Sequence, residues 1–153
     1  MSARSLEQAA KVLGLAQASD AERERIVLRH GSAVYRDAAT GGYDAMVLME
    51  VVEHVDPSRL DALEDAVFAG AQPGAVVLTT PNAEYNVRYP GLAAGGHRHG
   101  DHRFEWTREE LRGWAEAVAA RHGYRVAFRP VGPEDAEVGA PTQLALFERE
   151  AAA

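Results

Sequence analysis

Met49-Glu50-Val51-Val52-Glu53-His54 places two carboxylates and an imidazole directly after an apolar run, Tyr43 to Leu48. Glu50, Glu53 and His54 stand at i, i+3 and i+4, which on a helical turn puts all three on one face. No Lys or Arg stands among them to relieve the repulsion, whereas a divalent cation would. The competing reading is a solvated helix start, where the helix dipole favours acids. A second group, His97-Arg98-His99-Gly100-Asp101-His102, holds three of the chain's six histidines. Alone it also suits a polar surface loop. If the two groups meet, a Glu, Glu, His, His set is harder than a thiolate zinc site and softer than an all-oxygen magnesium site. It suits Mn²⁺, Fe²⁺ or Co²⁺, with Mg²⁺ possible.

Other residues carry weaker signals. Thr80-Pro81-Asn82 either lines the same edge or simply stops a strand. Tyr85, Phe104 and Trp106 can stack on a base, although core packing is the commoner fate of such rings. Arg88, Arg98 and Arg103 can hold phosphate, against a default of surface solvation. Gly31-Ser32 can approach a nucleotide or form a plain turn. His30 and His122 receive no role.

The elements that must position these groups follow from patterning. Ser2 is a candidate cap for a helix over Ala3 to Leu13, with Leu6, Ala9, Ala10 and Leu13 as its stripe and Gly14 as its stop. Ile26 to Leu28 reads as a short strand, and Tyr43 to Leu48 as a buried parallel strand. A helix opens at Asp56-Pro57 or Ser58, runs through Leu60, Leu63, Val67 and Phe68, and ends at Gly70. Ala75 to Thr79 is a second buried strand. Asn82 to Asp101, rich in Gly and Pro, is a long loop of the kind that is functional or disordered. Thr107 with Glu110 forms a capping box for a helix ending at Gly123. Tyr124 to Phe128 and Gln143 to Phe147 are two more strands. The order reads as an α/β sheet closing on an antiparallel hairpin. Both clusters then follow the carboxyl ends of neighbouring strands, where open α/β sheets bind ligands.

Composition narrows the classes. The chain has 153 residues, with 16 Lys+Arg against 23 Asp+Glu, for a net charge of −7. Hydrophobic residues make up 46%, enough for one packed core, and Cys is absent. Disulfide scaffolds, thiolate metal sites and Cys nucleophiles are therefore excluded. The acidic balance excludes a general nucleic-acid coat but not contact with one RNA end. No apolar run is long enough to span a membrane and no basic-then-apolar leader begins the chain, so a cytoplasmic protein is expected.

Three blocks carry a resemblance: Glu50-Val51-Val52-Glu53-His54-Val55-Asp56, then Thr79-Thr80-Pro81-Asn82-Ala83-Glu84-Tyr85-Asn86, then Arg98-His99-Gly100-Asp101-His102-Arg103-Phe104-Glu105-Trp106-Thr107-Arg108. In this order they resemble the small-RNA 3′-terminal ribose 2′-O-methyltransferases, both the plant HUA-ENHANCER type and the bacterial RNA-repair branch. The segment from Val131-Gly132-Pro133-Glu134 onward is similar to the bacterial branch. The resemblance implies a class I S-adenosylmethionine-dependent methyltransferase sheet, Rossmann-like. It puts the metal ligands and catalytic groups on Glu50, Glu53, His54 and His102. It implies Mg²⁺ or Mn²⁺ holding the 2′- and 3′-hydroxyls of an RNA 3′ end, and S-adenosylmethionine near Gly31, Ser32 and Met49. RNA contacts are expected from Tyr85, Arg88 and Arg98, and a polynucleotide kinase-phosphatase and ligase repair protein is the implied partner.

One departure stands out. None of the 14 glycines forms a G-x-G pattern, although the family's domain opens with a strand, a Gly-rich loop, a helix and a second strand. Residues 1–153 are accordingly expected to form a single domain lacking that opening unit. Weak or absent cofactor binding, an exposed sheet edge and a partnerless Ile26–Leu28 strand are expected with it. Competing readings are an inactive or partner-dependent fragment, a metal-dependent hydrolase and a small-molecule methyltransferase.

Overall fold

A four-stranded mixed sheet carries most of the molecule. In the computed structural model, which describes residues 3–150, β1 (Ala45–Met49) lies parallel to β2 (Ala75–Pro81). β2 runs antiparallel to β4 (Thr142–Arg149), which pairs antiparallel with β3 (Tyr124–Val131). The order is β1-β2-β4-β3. The expected strands are all present here except Ile26–Leu28, and the first begins two residues later than expected. Tyr43 is exposed and outside it.

The chain divides into two compact units, 1–33 and 34–153. In the first, α1 (Ala3–Val12) ends near Gly14, whose φ of +62° suits a residue without Cβ. The expected cap Ser2 lies outside the described residues. A second helix, α2 (Asp20–Arg25), has a capping box that the sequence reading missed: Ser19 accepts from the Glu22 amide while Glu22 accepts from the Ser19 amide. Ile26 to Leu28, expected as a strand, is irregular. Ile26 and Val27 are exposed and the segment joins no sheet. Its β-branched composition favours a strand only when a neighbour supplies the ladder.

In the second unit the sheet core is Val76, Leu78, Ala145 and Phe147, with Leu63, Val67, Phe68, Leu111, Ala115 and Val118 buried from the helical layer. Each Val, Leu or Phe among them is worth about 1.5–3 kcal/mol when fully buried. The expected helix after Asp56 is broken into three. Pro57–Arg59 is a 3₁₀ turn, α3 (Leu60–Glu64) follows, and Asp65–Ala71 widens to π geometry. It ends at Gln72 in the left-handed region rather than at Gly70. The fourth helix, α4 (Arg108–His122), has the capping box read from Thr107 and Glu110 and a left-handed Gly123 at its end. Phe104, Trp106, Trp114, Phe147, Phe68 and Tyr124 form a continuous run of ring contacts at 4.6–6.4 Å. Phe104 and Trp106 thus pack inward against other rings.

At the opposite edge β1 has one neighbour among the described residues, β2. Its Val47 and Met49 are 62% and 69% exposed, so the strand expected to be buried buries only Leu48.

Candidate metal centre

Two segments converge at the carboxyl ends of β1 and β2. Immediately after β1, Glu50 takes a left-handed conformation with φ of +53°, which costs a non-glycine residue about 1–2 kcal/mol. Its amide reaches Thr79, donating to the carbonyl at 3.1 Å and the hydroxyl at 3.2 Å. The reversal leads into a 3₁₀ turn, Val52–His54. It plants Val52 and Glu53 in the core and leaves His54 exposed. The Glu53 carbonyl accepts from the Arg103 amide at 2.7 Å. That bond ties the turn to the segment after the His-rich loop and brings His102 over it.

Glu53, His54 and His102 each offer one ligand atom, and these atoms lie within 4.8 Å of one another. The His54 and His102 rings are 4.8 Å apart at 81°, and the exposed His99 ring lies 5.7 Å from that of His102. Glu53 is 0% exposed. Its Oε2 accepts from the buried Thr80 hydroxyl at 2.9 Å, while Oε1 is buried with no hydrogen-bond partner among the described residues. Burial pushes the Glu53 carboxyl above the usual carboxylate range, and Glu50 adds to the shift against the opposing hydrogen bonds and His102. A buried, unpartnered carboxylate oxygen beside two imidazoles matches the donor chemistry of a divalent cation. Glu50, the fourth expected ligand, stands outside the three-residue group and is exposed.

The other expected residues lie in several elements of the fold. Met49 ends β1 beside this site, while Gly31 and Ser32 lie exposed in the first unit. Tyr85 is half-buried, its ring packed on Tyr89 at 5.6 Å. Arg88 and Arg98, expected to hold phosphate, are engaged by internal partners. Arg88 grips both Asp135 oxygens at 2.8 and 3.0 Å and Glu137 at 2.6 Å. Those acids raise the Arg88 pKa, and Arg88 in turn holds Asp135 well below the usual carboxylate range. Arg98 donates Nε to Asn86 Oδ1 at 2.9 Å and its Nη2 to the carbonyls of Asn82 and Pro141. Arg88 is matched by acids and Arg98 by neutral acceptors, and the fold brings both sets within reach.

Two further residues support the site: Thr80, which the sequence left open as lining this edge or stopping a strand, and Glu105, to which it gave no role. Thr80 orients Glu53. Glu105, nearly buried, meets His102 Nδ1 at 2.5 Å. Burial raises the Glu105 pKa, but hydrogen bonds from Asn86, His102 and the Arg98 amide outweigh it and leave the carboxyl below its usual value. The i, i+3 spacing of His102 and Glu105 was the available signal.

Comparison with known proteins follows the same geometry. The chain is 44% identical to the methyltransferase domain of the bacterial Hen1 called CtHen1-C, with a TM-score of 0.86 over 98% of this chain and 74% of that one. It is 40% identical over 127 residues to the small RNA 2′-O-methyltransferase of Mus musculus, covering 81% of this chain and 31% of the relative. It thus spans about a third of the length of such curated relatives. A chain in the Pnkp1/Rnl/Hen1 RNA repair complex matches at 22% identity and a TM-score of 0.62, over 96% of this chain and 30% of that one, a likeness of fold. No family model matches.

Proposed function

The chain belongs to the Hen1 family of small RNA 2′-O-methyltransferases, and on that premise we propose that it directs metal-dependent methyl transfer to the 2′-hydroxyl of an RNA 3′-terminal nucleotide. The observation that carries the metal part is the buried, unpartnered Oε1 of Glu53 beside His54 and His102. Glu53, His54 and His102 would hold Mg²⁺ or Mn²⁺, with Glu50 as a further ligand from the adjacent turn. Bound there, such a cation supplies Lewis acidity and a template for the terminal 2′- and 3′-hydroxyls. Thr80 keeps the Glu53 carboxylate aimed by donating to its other oxygen. The exposed His54 face leaves room for a nucleotide end. A carboxylate or imidazole of the cluster accepts the 2′-hydroxyl proton as the methyl group moves from sulfonium to oxygen.

S-adenosylmethionine is the proposed donor, with Met49 at the end of β1 as a proposed contact. Without a G-x-G loop among its glycines the chain by itself holds this donor weakly. A diol requirement explains how an acidic chain acts on RNA: it needs one end rather than a track of phosphates. A kinase-phosphatase and ligase repair assembly is the proposed partner, prompted by the fold likeness to a chain of the Pnkp1/Rnl/Hen1 RNA repair complex, and the cytoplasm is the proposed setting. Among the described residues no helix is long and apolar enough to cross a membrane.

The test is radiolabelled methyl transfer from S-adenosylmethionine at saturating donor, with Mn²⁺, to a short RNA ending in a 2′,3′-diol. Transfer to the diol, none to a 2′-deoxy end and none after chelation is the expected result. Transfer that persists with the 2′-deoxy end or after chelation contradicts the proposal. Cleavage of the RNA in place of methylation would favour a hydrolase.

A further inference from the structure

We infer that Glu105 is the positioning residue of this centre: it holds His102 in the tautomer protonated on Nδ1 and leaves Nε2 bare toward Glu53 and His54. The His102 Nδ1 to Glu105 Oε1 distance is 2.5 Å, with the side chains 8% and 1% exposed. An ionised carboxylate only accepts, so the shared proton belongs to Nδ1. A neutral imidazole protonated there has its one lone pair on Nε2. That is the nitrogen left to serve as the ligand atom of His102.

Glu105 is itself immobilised. Its Oε1 also accepts from the Arg98 amide at 2.7 Å, and its Oε2 accepts from Asn86 Nδ2 at 2.5 Å. Asn86 is held in turn by Arg98, whose Nη2 reaches the carbonyls of Asn82 after β2 and Pro141 before β4. The carboxylate is therefore anchored to the ends of two strands. It restrains the ring angle of His102 as well as its tautomer. Histidine ligands of metals commonly donate their second ring N–H to such a carboxylate, and loss of it weakens metal binding about 10–100-fold.

The consequence for a cation rests on the function proposed above, whereas the tautomer does not. Two measurements on the full chain separate them. Long-range ¹H–¹⁵N NMR of the metal-free protein with labelled histidine, at about pH 8.5 and so about two units above the ordinary imidazole value, reads the tautomer directly. A protonated Nδ1 and a bare Nε2 on His102 support the assignment; a proton on Nε2 or an even mixture overturns it. Titration with Mn²⁺ then compares wild type with Glu105→Gln. Binding weakened about 10–100-fold supports the positioning role, and equal binding overturns it. If the wild type has the expected tautomer but takes up no Mn²⁺, the metal reading fails while the Glu105–His102 assignment stands. Should Glu105→Gln not fold, the wild-type spectrum decides alone.

Discussion

Glu53 and Glu64 are both buried, both beside histidines, and opposite in their chemistry. Glu64 accepts from Arg121 at 2.8 and 2.6 Å and meets His122 Nε2 at 2.7 Å. The Arg121 hydrogen bond is the largest cause holding its carboxyl below the usual range, against burial. Glu53 is paired with no Arg or Lys: its Oε2 accepts from the Thr80 hydroxyl, its Oε1 has no side-chain partner among the described residues, and burial pushes its carboxyl upward against its hydrogen bonds and His102. The fold satisfies one acid with its own cation and leaves the other without one. The first arrangement closes the end of α4 onto α3 and needs nothing further. The second is stable only by accepting a desolvated carboxylate, and such an unsatisfied group marks a place where an external partner belongs.

Substitutions can break this contrast, and the largest effect is expected in catalysis. Glu53→Gln and His54→Ala should each lower methyl transfer by about 100-fold or more, since loss of mere supporting contacts to metal ligands already costs about 10–100-fold. Glu64→Gln should leave the rate within about twofold, because it alters neither ligand nor support. Thr80→Val keeps shape but removes the hydroxyl that orients Glu53, so Mn²⁺ affinity measured by calorimetry should fall about tenfold. Stability should reverse the order of the two acids. Glu64→Gln should lower urea-unfolding stability by about 1–2 kcal/mol, near the lower end for charge-assisted bonds because Arg121 is half-exposed and regains water. Glu53→Gln should leave the metal-free chain as stable or more stable, since it removes a buried charge that its hydrogen bonds and His102 only partly offset.

The smallest expected signal is in pH. Glu64 has a depressed pKa in the folded state, so its stabilisation is full above its ordinary value near 4.5. That stabilisation is lost as pH falls through the lower folded value. Unfolding measured from pH 6 downward should therefore show a shallower acid-side loss in Glu64→Gln than in wild type. Equal slopes would remove Glu64 from the account.

How far the sequence itself carried this contrast depends on the range of the interactions. The parallel strands, the Thr107–Glu110 box and the hairpin were legible because their signals are local: apolar runs, a capping box and glycine stops. So was the pairing of the Glu50–His54 segment with the His-rich loop, because both follow strand ends at one edge of the sheet. Ile26–Leu28 misled because a strand needs a neighbour that its own residues do not encode. The helix after Asp56 read as one element, and its switch from 3₁₀ to α to π has no signature in the apolar spacing. Arg88 and Arg98 read as free cations because their partners, Asp135, Glu137 and Pro141, lie far along the chain. Glu64 drew no attention for the same reason: Arg121 and His122 are distant in sequence. Glu53 was singled out by its neighbours, while its buried empty oxygen belongs to the folded state alone.

The central claim is that Glu53, His54 and His102 form a divalent-cation site. Calorimetric titration of the full chain with Mn²⁺ tests it most directly. The account predicts one site, lost in Glu53→Gln and in His102→Ala and retained in Glu64→Gln. Absence of Mn²⁺ uptake by the wild type, or uptake unchanged in Glu53→Gln and His102→Ala, would contradict it.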